Sequence, residues 1–249
     1  MIRSVTHPHT RALHRAHAKR YLRTWVLMAL TMCVTLALAA YGYFDTVSWP
    51  ELASAVLNTA YRLLTAYVVA LVLGVSIALL VSWSPFADFL FPVFDILQNI
   101  PSFALIPIFI YFFGYTSEMI ILFAVSSIIW PILFAVMTAI KSAHKDLSDA
   151  ATIFGARGIR RIPFFLAPLS FPAMLTGSIV GIAIGWEAII GAEIITNVAG
   201  FGDFIRSASI SGFTQASVAG TLAILVIVFA INRLVWAPLL AESSKRYAE

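Results

Sequence analysis

Three ionisable residues sit where almost every neighbour is apolar: Arg62, Glu187 and Glu193. A charge in such surroundings is costly, and by default it marks a polar cavity or a charged partner. Glu187 and Glu193 are six residues apart, which on a helix is about 240° and 9 Å. Their side chains therefore point about 120° apart and do not form a catalytic pair. Glu187 stays open to two readings: a structural ion pair or hydrogen bond, with Arg62 as a partner within reach, or a substrate or gating role. Asn99 and Pro101 belong to the run Gln98-Asn99-Ile100-Pro101, where proline removes a backbone donor and breaks a helix. Broken backbone at membrane depth is tolerated only where protein or a water-filled cavity satisfies it. Asn99 and Pro101 are thus candidate pathway linings, beside the simpler reading of a proline-kinked packing helix. Bond-making motifs are absent: no His-Glu-x-x-His, no Gly-x-Ser-x-Gly and no phosphate-binding loop of the Walker type. Ser126 and Ser127 lie near the middle of an apolar run, but the one histidine beyond the N-terminal tail is His144. His7, His9, His14 and His17 are irregularly spaced, and no metal site is expected. An enzyme is not expected, nor is a cofactor bound by this chain.

A second kind of chemistry, docking rather than bond-making, is offered by Lys141–Pro172. It is the longest break between apolar segments apart from the N-terminal tail. Five basic residues (Lys141, Lys145, Arg157, Arg160, Arg161) face two acids (Asp146, Asp149) within it. Its centre, Asp149-Ala150-Ala151-Thr152-Ile153-Phe154-Gly155, reads as a short helix. Asp149 is expected at its start, where a carboxylate suits the positive end of the dipole. Ala150 and Ala151 are small enough to let another protein approach the backbone. Gly155 and Gly158, on either side of Arg157, let the chain turn out of the helix.

The elements that hold these residues follow from composition. Hydrophobic residues are 61% of the chain and charged ones 11%, with mean hydropathy +0.93. Soluble domains carry about 25% charged residues, so this is a membrane protein. Its 249 residues have room for five to seven spans of about 20 residues. The expected spans are 25–44, 60–81, a broken region 86–113, 119–140, 171–196 and 217–240. Residues 1–24 form a basic tail, 25–240 the membrane domain with its loop at 141–170, and 241–249 a short tail. Of the sixteen basic residues, six lie in the N-terminal tail, five in the loop and two at Lys245-Arg246. Six spans put all thirteen on the cytosolic side, with both termini there, as the positive-inside bias asks. Five or seven spans would leave one basic end outside. A formal charge of +4, spread this way, reads as topology and not as nucleic-acid binding. Cys33 is the single cysteine and excludes an intramolecular disulfide. Ala173, Gly177, Gly181 and Gly185 recur every four residues, a stripe that lets another helix come close. An internal helix or a second copy of the chain would fill it.

The acid, two alanines, Gly155 and Pro168, thirteen residues further on, resemble the "EAA" loop of ATP-binding cassette (ABC) importer permeases. Asn58-Thr59-Ala60-Tyr61-Arg62 is similar to the polar start of that family's core. Phe112-Phe113-Gly114 with Glu118 resembles the "WFG-x-GE" passage of its nitrate, sulfonate, taurine and bicarbonate subgroup, with phenylalanine for tryptophan and the acid one residue later. Trp186 followed by Glu193 resembles the "W…AE" ending of a span near the outer gate in that subgroup. The resemblance covers about residues 55–240. It implies an all-α type I importer permease of about six spans in a bacterial inner membrane, pairing with a second copy or close homologue. Two ABC ATPase subunits, carrying the ATP and Mg, would dock on the loop through Asp149, Ala150, Ala151, Gly155, Arg157 and Gly158. An extracytoplasmic binding protein would deliver a small solute, an anion such as a sulfonate, nitrate or bicarbonate. A vitamin precursor or another small organic solute is the alternative within the family. Outside it, the rivals are an ATP-independent channel or carrier, and a membrane-embedded enzyme or scaffold. Co-purification of a nucleotide-binding subunit would separate the importer from the channel or carrier.

Overall fold

The computed structural model describes residues 48–212 and 214–247, with Leu30 and Val34 alone before them. The expected first span at 25–44 and the tail at 1–24 lie outside the described residues. The described chain is helical, without strands: α1 (Trp49–Trp83), α2 (Ala87–Gln98), α3 (Ile106–Phe113), α4 (Ser117–Lys141), α5 (Lys145–Ile153), α6 (Ala167–Thr196), α7 (Phe201–Ile210), α8 (Thr214–Ile231) and α9 (Ala237–Tyr247).

Four stretches are long and apolar enough to cross a membrane: Trp49–Trp83, Ser117–Lys141, Gly158–Thr196 and Ala216–Leu240. The fifth expected span of the described chain is α2 with Ser102–Phe113, bent by 81°. The break expected at Asn99–Pro101 makes this elbow. Pro92 is accommodated inside α2, and Pro107 sits in the first turn of α3, where its missing N–H has no intrahelical partner to lose.

Two spans begin earlier than expected. α1 starts at Trp49 rather than near residue 60, because Pro50 and Glu51 suit a first turn. Its 35 residues reach about 52 Å, well beyond the apolar core of a bilayer. The span expected at 171–196 is continuous from Gly158. A π-helical turn at Ile162–Leu166, closed by Ala167 N–H on the Ile162 carbonyl, leads into α6. Pro168 falls in the first turn of α6 and Pro172 inside it.

α4 is the centre of the bundle. Thr116 caps it, its hydroxyl accepting from Met119 N–H, and Glu118 lies in the first turn. Ile120, Phe123, Ala124, Ile128, Ile132 and Val136 are fully buried, so α4 has packed neighbours on two sides. α6 supplies one. A methyl on Gly177 would lie 2.6 Å from the Pro131 carbonyl oxygen and 2.9 Å from Ile132 Cα. Gly181 and Gly185 face the Ile128 side chain, at 3.0 and 2.7 Å from where their Cβ atoms would be. The small-residue stripe of α6 is therefore filled from within the chain. α1 supplies the other side with a similar device: Ala66, Ala70 and Ala78 are fully buried, and Gly74 approaches Ile129. Small residues every four positions bring backbones together, and dispersion then accumulates over the contact.

Gly177→Ala should lower the melting temperature of the detergent-purified protein, by about 1–3 kcal/mol of overpacking strain, since its methyl meets backbone. Gly181→Ala should cost less, because its methyl would stand 3.0 Å from Ile128 Cγ2 and 3.2 Å from the Ile128 carbonyl oxygen, further than the contacts at Gly177. Equal melting of wild type and both variants would mean that the helices are not this close.

Candidate functional site

At the end of the bundle away from α5, one buried knot joins four segments. Arg62, on α1, is 5% exposed and Glu193, on α6, is fully buried. Arg62 Nη1 is 2.5 Å from Glu193 Oε1. The same guanidinium donates to Ser117 Oγ at the start of α4, from Nη2 at 2.9 Å and Nε at 3.3 Å. Thr59 Oγ1, one turn before Arg62, lies 2.9 Å from both carboxylate oxygens. The first turn of α7 completes the set. Gly202 N–H donates to Glu193 Oε2 at 2.9 Å, and Phe201 N–H to Thr59 Oγ1 at 2.8 Å. A carboxylate at a helix N-terminus answers both the free amides and the dipole. Glycine is required here, since a Cβ on Gly200 would overlap the Glu193 carboxylate and one on Gly202 the Ile190 carbonyl.

Glu187 shares none of this. The pairing of Arg62 with Glu187 that the sequence left open is not formed, because Glu193 takes the guanidinium. Glu187 is exposed, and no ion pair or hydrogen bond engages it among the described residues. Thr176, Val180, Ala183, Glu187 and Ile194 are all exposed and, spaced by three, four or seven, share one face of α6. One turn above Glu187, Gly191 packs on the ring of Phe103, with only 2.5 Å available to a Cβ. Phe103 follows the elbow directly, so the bent pair meets α6 close to the level of Glu187. At the elbow Asn99 and Pro101 are exposed, and the Asn99 amide donates to the Asp95 carbonyl. Towards α5 the same face of α6 opens into a shallow depression shared with α4, edged by Thr138, Ser142, Ala173 and Thr176.

The loop after α4 differs from its expected form. Helix α5 begins at Lys145, with Asp146 in the first turn and Asp149 in its middle. The extended backbone of His144 starts the helix four residues before Asp149, so Asp146 takes the dipole position. No residue of α5 is buried, and Ala150 and Ala151 are half-exposed. The outermost apolar groups are Ile153, 80% exposed, and Phe154, 90% exposed. Gly155 and Gly158 adopt φ of 87° and 55°, and nothing lies within 4 Å of where their side chains would be. They turn the chain from α5 back towards α6. Arg157 braces the turn, Nε donating to the Thr152 carbonyl at 3.3 Å.

Sequence reasoning singled out Arg62 and Glu193 without pairing them, and it missed Thr59 and Ser117. The signal was present as an acid late in an apolar helix followed by Gly200-Phe201-Gly202. It also passed over Ile153 and Phe154, whose exposure depends on how the loop folds.

A helical bundle with spans long enough to cross a membrane, a short exposed helix hung outside it and an exposed glutamate on one span has the architecture of a membrane transport subunit. A family model described as "Binding-protein-dependent transport system inner membrane component" matches residues 70–236, and the chain belongs to that family. It is 26% identical over 192 residues to the taurine transport system permease protein TauC of Escherichia coli (strain K12), covering 77% of this chain and 68% of that protein. It is 26% identical over 178 residues to the nitrate import permease protein NrtB of Leptolyngbya laminosa, covering 70% and 63%. With the bicarbonate transport system permease protein CmpB of Synechocystis sp. (strain ATCC 27184 / PCC 6803 / Kazusa) it shares 27% over 182 residues, covering 70% and 63%. Among solved structures, a chain of the MetNI methionine ABC transporter in inward-facing conformations superposes with a TM-score of 0.66 at 16% identity, covering 78% of this chain and 97% of that one. The fold is that of an ABC importer permease.

Removing either partner of the buried pair leaves a charge without compensation, a cost of about 3–5 kcal/mol. Arg62→Ala and Glu193→Ala should each sharply reduce the yield of folded, monodisperse protein on detergent gel filtration. The double variant Arg62→Met/Glu193→Leu should recover part of that loss. Single variants that melt like wild type would show that the pair does not hold the bundle.

Proposed function

We propose that this chain is the membrane-spanning subunit of an ATP-driven importer, which moves a small solute from an extracytoplasmic binding protein into the cytosol. The observation that carries this reading is α5. It is a helix without a buried residue, presenting Ile153 and Phe154 to whatever lies beyond. It also hangs between α4 and α6, which approach each other through Gly177 and Gly181. Isolated apolar side chains on a protruding, charged loop suit a groove on a partner, and that partner in this reading is a cytosolic ATPase. Two such ATPases, holding ATP and Mg, would bind α5 of two permease copies. Closure of the ATPase pair would draw the two α5 helices together and rock the bundles from inward-open to outward-open. The termini and α5 would then face the cytosol, and the knot at Glu193 the external side. ATP chemistry would belong to the partner.

The exposed face of α6 and the elbow at Asn99–Pro101 would line the pathway, because neither an exposed glutamate nor a broken helix suits lipid. The relatives are named for taurine, nitrate and bicarbonate, which supports a small anion as the solute. Glu187 favours, within that range, a solute carrying an ammonium group beside its anionic one, as an aminosulfonate does.

Phe154→Asp and Gly155→Asp should insert in the membrane normally, yet lose most co-purifying ATPase and most binding-protein-stimulated hydrolysis. If association and stimulated hydrolysis were both unchanged, the docking assignment would be wrong. Glu187→Gln should leave ATPase association intact and slow solute uptake in vesicles. Unaltered affinity, rate and coupling would remove Glu187 from the pathway.

A further inference from the structure

On the inner side of the loop, between α5 and the ends of α1, α2 and α4, lies a cavity of about 420 Å³ that the transport reading leaves unused. Three cations line it: Lys141, Lys145 and Arg161. Arg161 is held by protein, and Lys141, with a side chain 63% exposed, rests against an aromatic ring. Arg161 Nη2 donates to Ser148 Oγ at 2.5 Å and its guanidinium stacks 5.5 Å from the centre of the Phe165 ring. Lys141 Nζ stands 5.0 Å over the ring of Phe91. The one acid in the lining is Asp88. Its carboxylate is 3.7 Å from Lys141 Nζ, with a side chain 96% exposed to solvent. Among the described residues, the lining therefore keeps an excess of positive charge, three cations to one acid. Apart from Ser82 and Ser148 its remaining wall is apolar, with Trp83, Met137 and Leu166. Trp83 closes the long apolar helix α1 and is half-exposed, which puts the opening at the level where tryptophan marks a bilayer surface.

We propose that this cavity binds a phosphate-type oxyanion, supplied as the headgroup of an anionic phospholipid or as free phosphate. Arg161 offers a planar fork suited to two phosphate oxygens, the lysines offer point charges, and Ser148 can donate to a third oxygen. Basic pockets between membrane helices at the aqueous boundary take lipid phosphates by this chemistry. The bound anion would join α4, α5 and the segment leading into α6, the three parts that hold the loop. This inference does not depend on what docks on the outer side of α5.

The test compares wild type, Arg161→Ala, Lys145→Ala and Arg160→Ala, each as the full chain in nanodiscs. Arg160 is an exposed cation of the same loop that does not line the cavity. Melting is followed in discs of phosphatidylcholine alone, in discs with phosphatidylglycerol added, and in phosphatidylcholine discs titrated with inorganic phosphate. Wild type and Arg160→Ala should melt several degrees higher with phosphatidylglycerol. Arg161→Ala and Lys145→Ala should lose that gain, with affinity about tenfold weaker for each charge-assisted contact removed. A gain from phosphatidylglycerol alone identifies the headgroup as the source, and an equal gain from inorganic phosphate identifies the free ion. No gain from either anion, or a gain that all four proteins share, overturns the proposal.

Discussion

Taking a carboxylate and a guanidinium out of water costs several kcal/mol each unless every oxygen and nitrogen finds a partner. The knot around Glu193 meets that condition with groups from four segments. Arg62 cancels the charge, Thr59 and the Gly202 amide occupy the remaining acceptor sites, and Ser117 takes the other edge of the guanidinium. Because one buried pair draws its partners from α1, α4, α6 and α7, the positions of these four at this end are fixed together. The pair contributes less as net attraction than as a penalty on every arrangement that would separate it. Phe201, buried at 1% exposure beside it, shows how little space is left for an alternative.

The opposite end is built on a different principle. Below the knot the bundle closes by backbone proximity: Gly177 and Gly181 of α6 against α4, and Ala66, Ala70, Gly74 and Ala78 of α1 against the other side of α4. Packed interiors deform little and switch between discrete arrangements more readily than they bend. The loop with α5 is tied at its two ends to α4 and to the helix that becomes α6. A displacement of α5 is therefore delivered to a tightly joined pair of spans, which would carry α1 with them. α5 has no buried residue of its own, so its position depends on those ties and on whatever binds it.

How much of this was readable beforehand depended on the range of the interaction. Hydropathy and the basic-residue bias describe single segments against a bilayer. They gave the all-α class, the break at Asn99–Pro101 and four of the spans. The stripe at Gly177, Gly181 and Gly185 was legible because its period is local, though not its partner, since Pro131 and Ile128 carry no mark of contact. The α1 stripe has the same period and went unread, because alanine in a membrane helix attracts less notice than glycine. Helix starts were misplaced at α1 and α5 for a related reason: Pro50 and His144 decide them, while the eye follows the apolar run or the acid. The knot was the least legible feature. Thr59 and Glu193 are 134 residues apart, and no local pattern joins a threonine on one span to an acid on another.

Glu187 and Glu193 show how differently one kind of side chain can be placed in this setting. They are the same side chain on the same helix, less than two turns apart. The rotation between them aims Glu193 at α1 and α7, where an arginine, a threonine hydroxyl and the Gly202 amide meet it. Glu187 is aimed away from every described neighbour. Had the acid at 187 been needed for folding, the bundle would have had to supply a cation within reach. The one cation available inside the knot, Arg62, is already engaged. A carboxylate left without a protein partner on a membrane helix persists only where water or another charged species reaches it. The face running from Thr176 through Ala183 to Glu187, with the broken backbone at Asn99 near its level, is therefore the surface of this chain that most requires something polar opposite it.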